Sequence, residues 1–395
     1  MNARKLFADI DLLYPEYLEF WKKICMMETP TADKQRIDHL GTFLKEKAGF
    51  LGWEIVEHRE ESAGNALCFI MNPEAPGIPV CFSAHMDTVH PPGSFGDPPV
   101  HEEETYLCGP GVADCKGGIA AGFLAMHALQ LGGYSDRPVK LILQSDEEVN
   151  SRFSRKRTVD FMIRMAEGSS AFLNLETASP VRSGGNGTED GSGSAVLSRK
   201  GILTFHFQIY GKAVHSARCQ NGVSAVAEAA HKILELEKMK EDQGLTCSCS
   251  MIAGGTASNV VPDSCSFTAD IRFADSVQME EAKCRVEEIA ATSFIPGSTC
   301  RAELISWRSA MEYEKRNEDL LEKMNAIYRK EGMPYLKACS SAGGSDAADV
   351  SRAGIPTVDS IGVRGSGIHS VEEKAEMASL AECAKRIAVI ALELP

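Results

Sequence analysis

The sequence has no long apolar run and no closely spaced cysteine pair of the zinc-knuckle type. No stretch of about 18 consecutive apolar residues occurs, so we expect no membrane-spanning helix. The 13 cysteines are scattered and form no CxxC pair. This spacing argues against a disulfide framework and against a thiolate metal site, and it favours a reducing compartment.

Positive charge is also scarce, because 41 Lys and Arg residues stand against 55 Asp and Glu residues, for a net charge of -14. Such a surface repels phosphate backbones, so nucleic acid is not expected as a partner. Asp9, Asp11 and Glu16 interrupt the region where the apolar core of a signal peptide would lie. We therefore expect no secretory signal and a cytoplasmic location.

Strands and helices alternate in the first half of the chain. Continuous apolar runs at 80–84, 139–145 and 171–176 predict strands that are buried on both faces, and the small-residue segment 117–131 predicts a helix between them. Near the end of the chain, a closing helix is expected from Val371. This order is typical of an α/β sheet covered by helices on both sides.

The middle of the chain has a different pattern, with apolar and polar residues alternating along strands that are interleaved with two helices. A chain of 395 residues also exceeds what one core usually serves. We therefore predict an α/β catalytic domain with a mixed sheet, formed by residues 1–199 and 309–395, and an inserted α+β domain at 200–308.

Histidines and carboxylates follow several of the predicted strands and turns. Taken singly, each has a common structural explanation, such as a helix-capping Asp or a solvated acidic turn. Together, nitrogen and oxygen donors at strand ends predict a site for two divalent ions, zinc or alternatively cobalt or manganese, with one bridging carboxylate. The candidate ligands are His85, Asp114, Glu148, Glu176 and His369.

Two further carboxylates near these candidates have predicted roles that do not involve the metal directly. Asp87 lies two residues after His85 and would fix the orientation of that imidazole. Glu147 is the spare acidic residue of the segment SDEE, which makes it the candidate general base.

The order of motifs along the chain resembles the M20 family of metallopeptidases, which includes carboxypeptidases, dipeptidases, aminoacylases and deacylases. The motifs are AHMDTV, GVADCKGG, SDEE, NLE, GKAVHSA, GTASNVVPD, ADIRF, AGGSDAA and GIHSVEE. The later motifs look most similar to glutamate carboxypeptidases of the carboxypeptidase G type. The resemblance implies a zinc-peptidase-like catalytic domain and an inserted ferredoxin-like lid, through which family members usually form homodimers.

The resemblance also implies roles for single residues. Asp114 would bridge the two ions, with His85 and Glu176 completing one site and Glu148 and His369 the other. The peptide bond between Asp114 and Cys115 is expected to be cis.

For the inserted domain, the resemblance implies a histidine, His215, that reaches the active site. Asn259 and Arg272 would hold the substrate carboxylate, and Gly344 lies in the matching glycine-rich loop of the main domain.

The predicted function is hydrolysis of the amide bond of a peptide or N-acyl amino acid beside a free C-terminal carboxylate, with a metal-activated water as nucleophile. The alternatives are a deacylase of acetylated or succinylated amino acids and, less favoured, a non-catalytic protein that binds amino-acid conjugates.

Three features depart from the family pattern or leave a role open. The segment VNSRFSRKR (149–157) is expected to reshape one wall of the cleft. Cys115 is either a metal-sensitive thiol or, as we favour, an inert buried residue. Arg308 is either a second anion contact or a partner in a structural ion pair.

Overall fold

The computed structural model describes residues 1–178, 193–240 and 244–395. The chain divides into two compact units. Unit 1 comprises Met1–Leu197, Tyr313–Ser340 and Asp349–Pro395, and unit 2 comprises Ser198–Glu312 and Ser341–Ala348. The segment 341–348, which the predicted division gave to the larger domain, thus clusters with unit 2.

Within the described residues, the helices are α1 (Ala3–Cys25), α2 (Lys34–Phe50), α3 (Lys116–Leu131), α4 (Arg157–Ala166), α5 (Ala225–Leu236), α6 (Ser276–Ala291), α7 (Lys315–Lys330), α8 (Ala347–Arg352) and α9 (Ser379–Glu393). The strands are β1 (Glu54–His58), β2 (Ala66–Met71), β3 (Val80–His85), β4 (His101–Glu103), β5 (Tyr106–Cys108), β6 (Val139–Gln144), β7 (Ala171–Asn174), β8 (Gly193–Arg199), β9 (Gly201–Tyr210), β10 (Thr246–Gly254), β11 (Ser264–Phe273), β12 (Thr299–Arg308), β13 (Leu336–Ser341), β14 (Thr357–Val358), β15 (Gly365–Ser366) and β16 (Lys374–Glu376). No helix in this part of the chain is long and apolar enough to cross a membrane.

The main sheet of unit 1 is mixed, as predicted, with the strand order β1-β2-β6-β3-β7-β14. Strands β6, β3, β7 and β14 are parallel to one another, whereas β1 and β2 pair antiparallel at one edge. The carboxyl ends of the parallel strands therefore meet at one edge of the sheet, which is where open α/β sheets bind ligands.

Helices cover both faces of this sheet, which explains why its strands are continuous apolar runs. Phe82 and Leu141 face a core cluster that contains residues of α1, α2, α3 and α9. Their neighbours Cys81 and Ile142 face the opposite cluster, which contains the apolar side of α4. The alternation follows from the two-residue period of a strand.

Unit 2 has the order β9-α5-β10-β11-α6-β12, and its four strands pair antiparallel as β10-β11-β9-β12. This is the βαββαβ arrangement of a ferredoxin-like fold, in agreement with the predicted inserted domain. Its core includes stacked rings of Phe207 and Phe267, whose centroids lie 4.5 Å apart. Strand β8, which precedes this block, lies mostly in unit 1.

A buried ion pair on α5 of unit 2 is hydrogen-bonded to the end of α6. Lys232 Nζ lies 3.0 Å from a carboxylate oxygen of Glu228 and donates to the carbonyl oxygens of Ile289 and Thr292 at the end of α6. The Glu228 carboxylate accepts from the main-chain N–H of Ile295. Both charges are thereby hydrogen-bonded, which a buried ion pair requires.

The predicted helix from Val371 is wrong, because residues 374–376 form strand β16 and the closing helix α9 begins only at Ser379. Strand β16 pairs with β5, so its main-chain groups bond across a small sheet of order β15-β16-β5-β4. This long-range pairing overrides the local helical tendency of the acidic segment.

Candidate metal centre

Three predicted site segments follow adjacent parallel strands of unit 1. His85 is the last residue of β3, a short 3-10 turn at Glu147–Val149 follows β6, and Glu176 follows β7. The register pairs His85 with Gln144, so β3 and β6 end side by side. The topology of the sheet therefore brings one His and several carboxylates together.

Asp114 lies in the turn before α3, and its carboxylate stands between two histidines. His85 Nε2 is 3.1 Å from Asp114 Oδ1, and His369 Nε2 is 3.3 Å from Asp114 Oδ2. Gly118, in the first turn of α3, permits this position, since a Cβ atom there would lie 2.4 Å from the Leu175 carbonyl oxygen. The Asp114–Cys115 peptide bond is cis, as predicted.

The remaining predicted ligands complete a group on each side of Asp114. His85 Nε2 lies 3.6 Å from Glu176 Oε1. His369, in the loop between β15 and β16, has its Nε2 3.2 Å from Glu148 Oε2. The donor atoms of His85, Asp114 and Glu148 also lie within 4.8 Å of one another. All five predicted ligands are thus in one cluster of unit 1.

The charges of this cluster show that its residues fit cations. Burial, with repulsion from Asp114 and Glu147, raises the pKa of Glu148 to about 8. Burial, with repulsion from Asp114 and Glu147, also raises the pKa of Glu176 well above its usual range. Such crowding of buried carboxylates is costly unless positive charge neutralises it.

The donor set is also that of a divalent metal centre. Two imidazoles and three carboxylates supply nitrogen and oxygen ligands without a thiolate, which suits zinc, cobalt or manganese. Side-chain hydrogen bonds to Asp114 and Glu148 raise the pKa of His369 to about 10, another sign of the negative potential in the cluster. The residues present therefore fit divalent metal ions.

Asp87 contacts both His85 and the turn that carries Glu147. His85 Nδ1 lies 2.9 Å from the Asp87 carbonyl oxygen, so this nitrogen carries the proton and Nε2 is left facing Asp114. The Asp87 carboxylate accepts hydrogen bonds from the main-chain N–H groups of Glu147 and Glu148, each at 3.2 Å, and from Thr31 Oγ1 at 2.8 Å. Asp87 therefore orients a ligand and the candidate base together.

Asp87 remains ionised in this buried position. Burial alone would raise the pKa of its carboxyl group, but hydrogen bonding and attraction from His85, with the contact to Thr31, bring that pKa below its usual value. A carboxylate that accepts several hydrogen bonds is stabilised in its charged form.

Glu373, which no sequence pattern indicated, is buried beside the cluster and is 1% exposed. Its carboxylate accepts hydrogen bonds from the main-chain N–H groups of Gly111 (3.1 Å), Ala113 (2.9 Å) and Asp114 (3.0 Å). It also lies 2.8 Å from His90 Nε2. Because Glu373 sits four residues after His369, it ties the loop that carries one ligand to the turn that carries Asp114.

The other four predicted site residues lie in unit 2. His215 and Asn259 are close together, because His215 pairs with Val260 in an isolated bridge and the N–H of Ser216 donates to the Asn259 carbonyl at 2.9 Å. Arg272, on β11, donates to the carboxylate of Asp270 through Nε at 2.7 Å and Nη2 at 3.3 Å.

Gly344 lies in the 341–348 segment of unit 2. A Cβ atom there would be 2.8 Å from Ile202 Cδ1 and 2.9 Å from Arg308 Cδ, so close packing requires the glycine. A role of Gly344 in substrate binding stays a prediction.

The structure also gives contacts for the two residues whose roles the sequence left open. The Cys115 thiol donates to the Leu175 carbonyl at 3.1 Å, and burial raises its pKa well above the usual value, as expected of an inert thiol. Arg308 Nη2 lies 3.2 Å from Asp346 Oδ1, and both side chains are buried. This geometry favours the structural ion pair for Arg308.

The fold and the cluster define the class of this protein: a metallopeptidase or amidohydrolase with an α/β sheet and a second α+β unit. The model of the Peptidase family M20/M25/M40 matches residues 81–393, and the chain belongs to this family. The family resemblance drawn from the motifs is thereby confirmed.

Relatives and solved structures agree with this assignment. The chain is 28% identical to carboxypeptidase G2 of Pseudomonas sp. (strain RS-16) over 381 residues, covering 94% of this chain and 87% of that protein. It is 26% identical to a succinyl-diaminopimelate desuccinylase of Halorhodospira halophila over 318 residues, covering 76% of this chain and 79% of that protein.

Two solved structures illustrate the shared fold. The aminopeptidase PepT of Bacillus cereus superimposes with a TM-score of 0.73 at 22% identity, covering 99% of this chain and 98% of that chain. The YXEP protein of Bacillus subtilis, described as a dinuclear metal binding peptidase from the M20 family, gives a TM-score of 0.68 at 15% identity, covering 97% and 98%.

Proposed function

We propose that the enzyme hydrolyses the amide bond of a peptide or N-acyl amino acid next to a free C-terminal carboxylate. The observation that carries this proposal is the position of the Asp114 carboxylate between His85 and His369, with Glu147 on the adjoining turn. Asp114, His85 and Glu176 would hold one ion, and Asp114, Glu148 and His369 the other.

Divalent ions bound there would supply Lewis acidity and lower the pKa of a coordinated water. Glu147 is the proposed general base. It is buried, and its main-chain N–H donates to the Asp87 carboxylate, so its position is fixed by the same residue whose carbonyl oxygen orients His85. Glu147 takes a proton from the attacking water and returns it to the leaving amine, giving a carboxylic acid and an amine.

His215 is proposed to stabilise the negative charge that develops on the carbonyl oxygen. Its Nδ1 accepts a hydrogen bond from the main-chain N–H of Ala217 at 3.2 Å, so in the neutral ring the proton is on Nε2. An Nε2–H donor directed at an oxyanion lowers the barrier of acyl transfer. The side chain is exposed in unit 2, which leaves this donor accessible to substrate.

Removal of metal tests the proposed chemistry. Protein treated with a chelator and then freed of it is expected to retain less than about 1% of its turnover, since a metal supplies several kcal/mol of transition-state stabilisation. Addition of zinc or cobalt should restore turnover, with about two ions bound per chain by elemental analysis. Full turnover by metal-free protein would contradict the proposal.

Arg272, with Asn259, is proposed to hold the free carboxylate of the substrate. Asp270 engages Nε and Nη2 of Arg272, which fixes the guanidinium and leaves Nη1 to donate. We expect Arg272→Lys to raise KM roughly tenfold with a smaller change in kcat, because an ammonium cannot reproduce the planar guanidinium contacts. Arg301→Lys is the matched control, since its side chain is 70% exposed on the same unit. Equal KM values for the two variants would argue against this role.

The alternative function is a deacylase of N-acyl amino acids, which the desuccinylase relatives favour. The two activities share the metal centre and differ in the acyl group that is accepted. Dimerisation through unit 2 and a cytoplasmic location stay predictions.

A further inference from the structure

A groove of about 760 Å³ lies beside the metal centre, within unit 1. Side chains from three separate segments line it. Its apolar lining includes Pro30, Val89, Pro91, Pro92, Val149 and Phe153. A volume of this size is typical of a site for a small organic ligand.

The groove is continuous with the candidate metal centre. Glu148 lines it, and the carboxylate of Glu148 also lies 3.2 Å from His369 Nε2. Thr31, which also lines the groove, donates through Oγ1 to the Asp87 carboxylate. A group that occupies the groove would therefore extend from an amide bond placed at the metal centre.

Among its described lining residues, the groove offers a second carboxylate no unpaired basic group. Lys34 is the one basic side chain among its described lining residues, and its Nζ lies 2.7 Å from Asp38 and 3.0 Å from the Asn65 amide oxygen. The carboxylate of Asp33 adds negative charge, whereas the charge of Glu148 would be offset by a bound metal ion. An acidic acyl group such as succinyl would thus lose hydration without gaining a cationic partner, and so would the carboxylate of the released amino acid.

The groove wall that carries Phe153 is hydrogen-bonded to Asp146, which begins the turn that carries Glu147 and Glu148. The Asp146 carboxylate accepts from the main-chain N–H of Ser154 at 2.8 Å and from Thr158 Oγ1 at 2.8 Å. The carbonyl oxygen of Phe153 accepts from Ser62 Oγ at 2.8 Å. These bonds hold the segment 149–157 in place, so the groove is formed before a ligand arrives.

We propose that this groove binds the acyl group of the substrate. It selects uncharged, apolar acyl groups of about four to six carbons, or longer ones, over acetyl and succinyl. The inference rests on the proposed function and deepens it, because it favours the release of an amino acid from an apolar N-acyl group over desuccinylation. The segment VNSRFSRKR, which departs from the family pattern, supplies Phe153 as the specificity-determining side chain.

The test compares kcat/KM of the metal-loaded enzyme for N-acetyl-, N-butanoyl-, N-hexanoyl- and N-succinyl-glutamate. Each methylene buried in an apolar site is worth about fourfold in binding. We therefore expect hexanoyl to exceed acetyl by at least about tenfold. Butanoyl and succinyl have the same number of carbons, and we expect butanoyl to exceed succinyl by at least about tenfold because of charge.

Substitution of the wall should change this selectivity. Phe153→Ala is expected to lower the hexanoyl-to-acetyl ratio severalfold, and Val89→Thr, which keeps the shape but adds a hydroxyl, to lower it less. Phe50→Ala is the matched control, because Phe50 is 86% exposed and does not line the groove. Unchanged ratios in both wall variants would overturn the proposal.

Failure of this inference can be told apart from failure of the proposed function. If acetyl, hexanoyl and succinyl substrates are turned over equally, the groove does not select the acyl group, although the hydrolase stands. If kcat/KM depends instead on the side chain of the released amino acid, that part of the substrate lies in the groove and the proposal is overturned. If none is hydrolysed, calorimetric binding of N-hexanoyl- and N-acetyl-glutamate decides: tighter binding of hexanoyl supports the groove, and equal binding overturns it.

Discussion

The Glu147→Gln variant is expected to lose turnover by a factor of about 10²–10⁴, the range that a positioned general base contributes. Glutamine keeps the shape of the side chain but cannot accept the proton of the attacking water. Because Glu147 is not among the proposed ligands, the variant should still bind about two ions per chain. Steady-state kinetics together with metal analysis separates these two expectations.

A matched control for this variant is Glu167→Gln, which changes an exposed glutamate at the end of α4. Its kcat should equal that of the unmodified enzyme. Wild-type kcat in Glu147→Gln would remove Glu147 as the base. Loss of metal together with loss of turnover would instead show that Glu147 is a ligand.

Glu373→Gln is the other substitution with a large expected effect. We expect it to lower the affinity for metal. An amide offers one oxygen where the carboxylate offers two, so at least one of the N–H groups of Gly111, Ala113 and Asp114 would lose its acceptor. A buried donor left without a partner costs about 1–3 kcal/mol. The turn that presents Asp114 would then be less well fixed, and we expect metal affinity to fall about 10–100-fold.

The measurement is a metal titration by calorimetry, supported by the absorption spectrum of the cobalt-loaded protein, which reports ligand geometry. Saturating metal should restore much of the turnover of Glu373→Gln. The neighbouring Glu372→Gln is the matched control, because Glu372 is exposed. A lowered unfolding temperature with unchanged metal affinity and spectrum would show that Glu373 stabilises the fold without positioning Asp114.

Glu372 is exposed and Glu373 is buried, although the two are adjacent in the sequence. Both glutamates follow His369 in the motif GIHSVEE, and nothing in the local pattern separates them. The buried one accepts hydrogen bonds from residues about 260 positions away along the chain. The same holds for the helix predicted from Val371, which long-range pairing of β16 with β5 replaces by a strand.

The clustering of three candidate ligands, His85, Glu148 and Glu176, was by contrast predictable, because they end or follow strands that have a clear apolar signal. His85 ends one such strand, and Glu176 follows another. Parallel strands covered by helices place their carboxyl ends at one edge, so residue type and position along the chain were sufficient to group the ligands. The predicted contact of Asp87 with His85 is present. The hydrogen bond that the Asp87 carboxylate accepts from the main-chain N–H of Glu147 was not predictable.

The sequence by itself determined the α/β class, the family, and the residues of the candidate metal cluster, because strand periodicity, motifs and residue chemistry are local properties. Only the tertiary structure decided which carboxylate near His369 is buried and which strands lie side by side. It also placed Phe153 beside Glu148 in an apolar groove. These features depend on contacts between distant segments, and the free energy of such contacts is set by the packing of the whole unit.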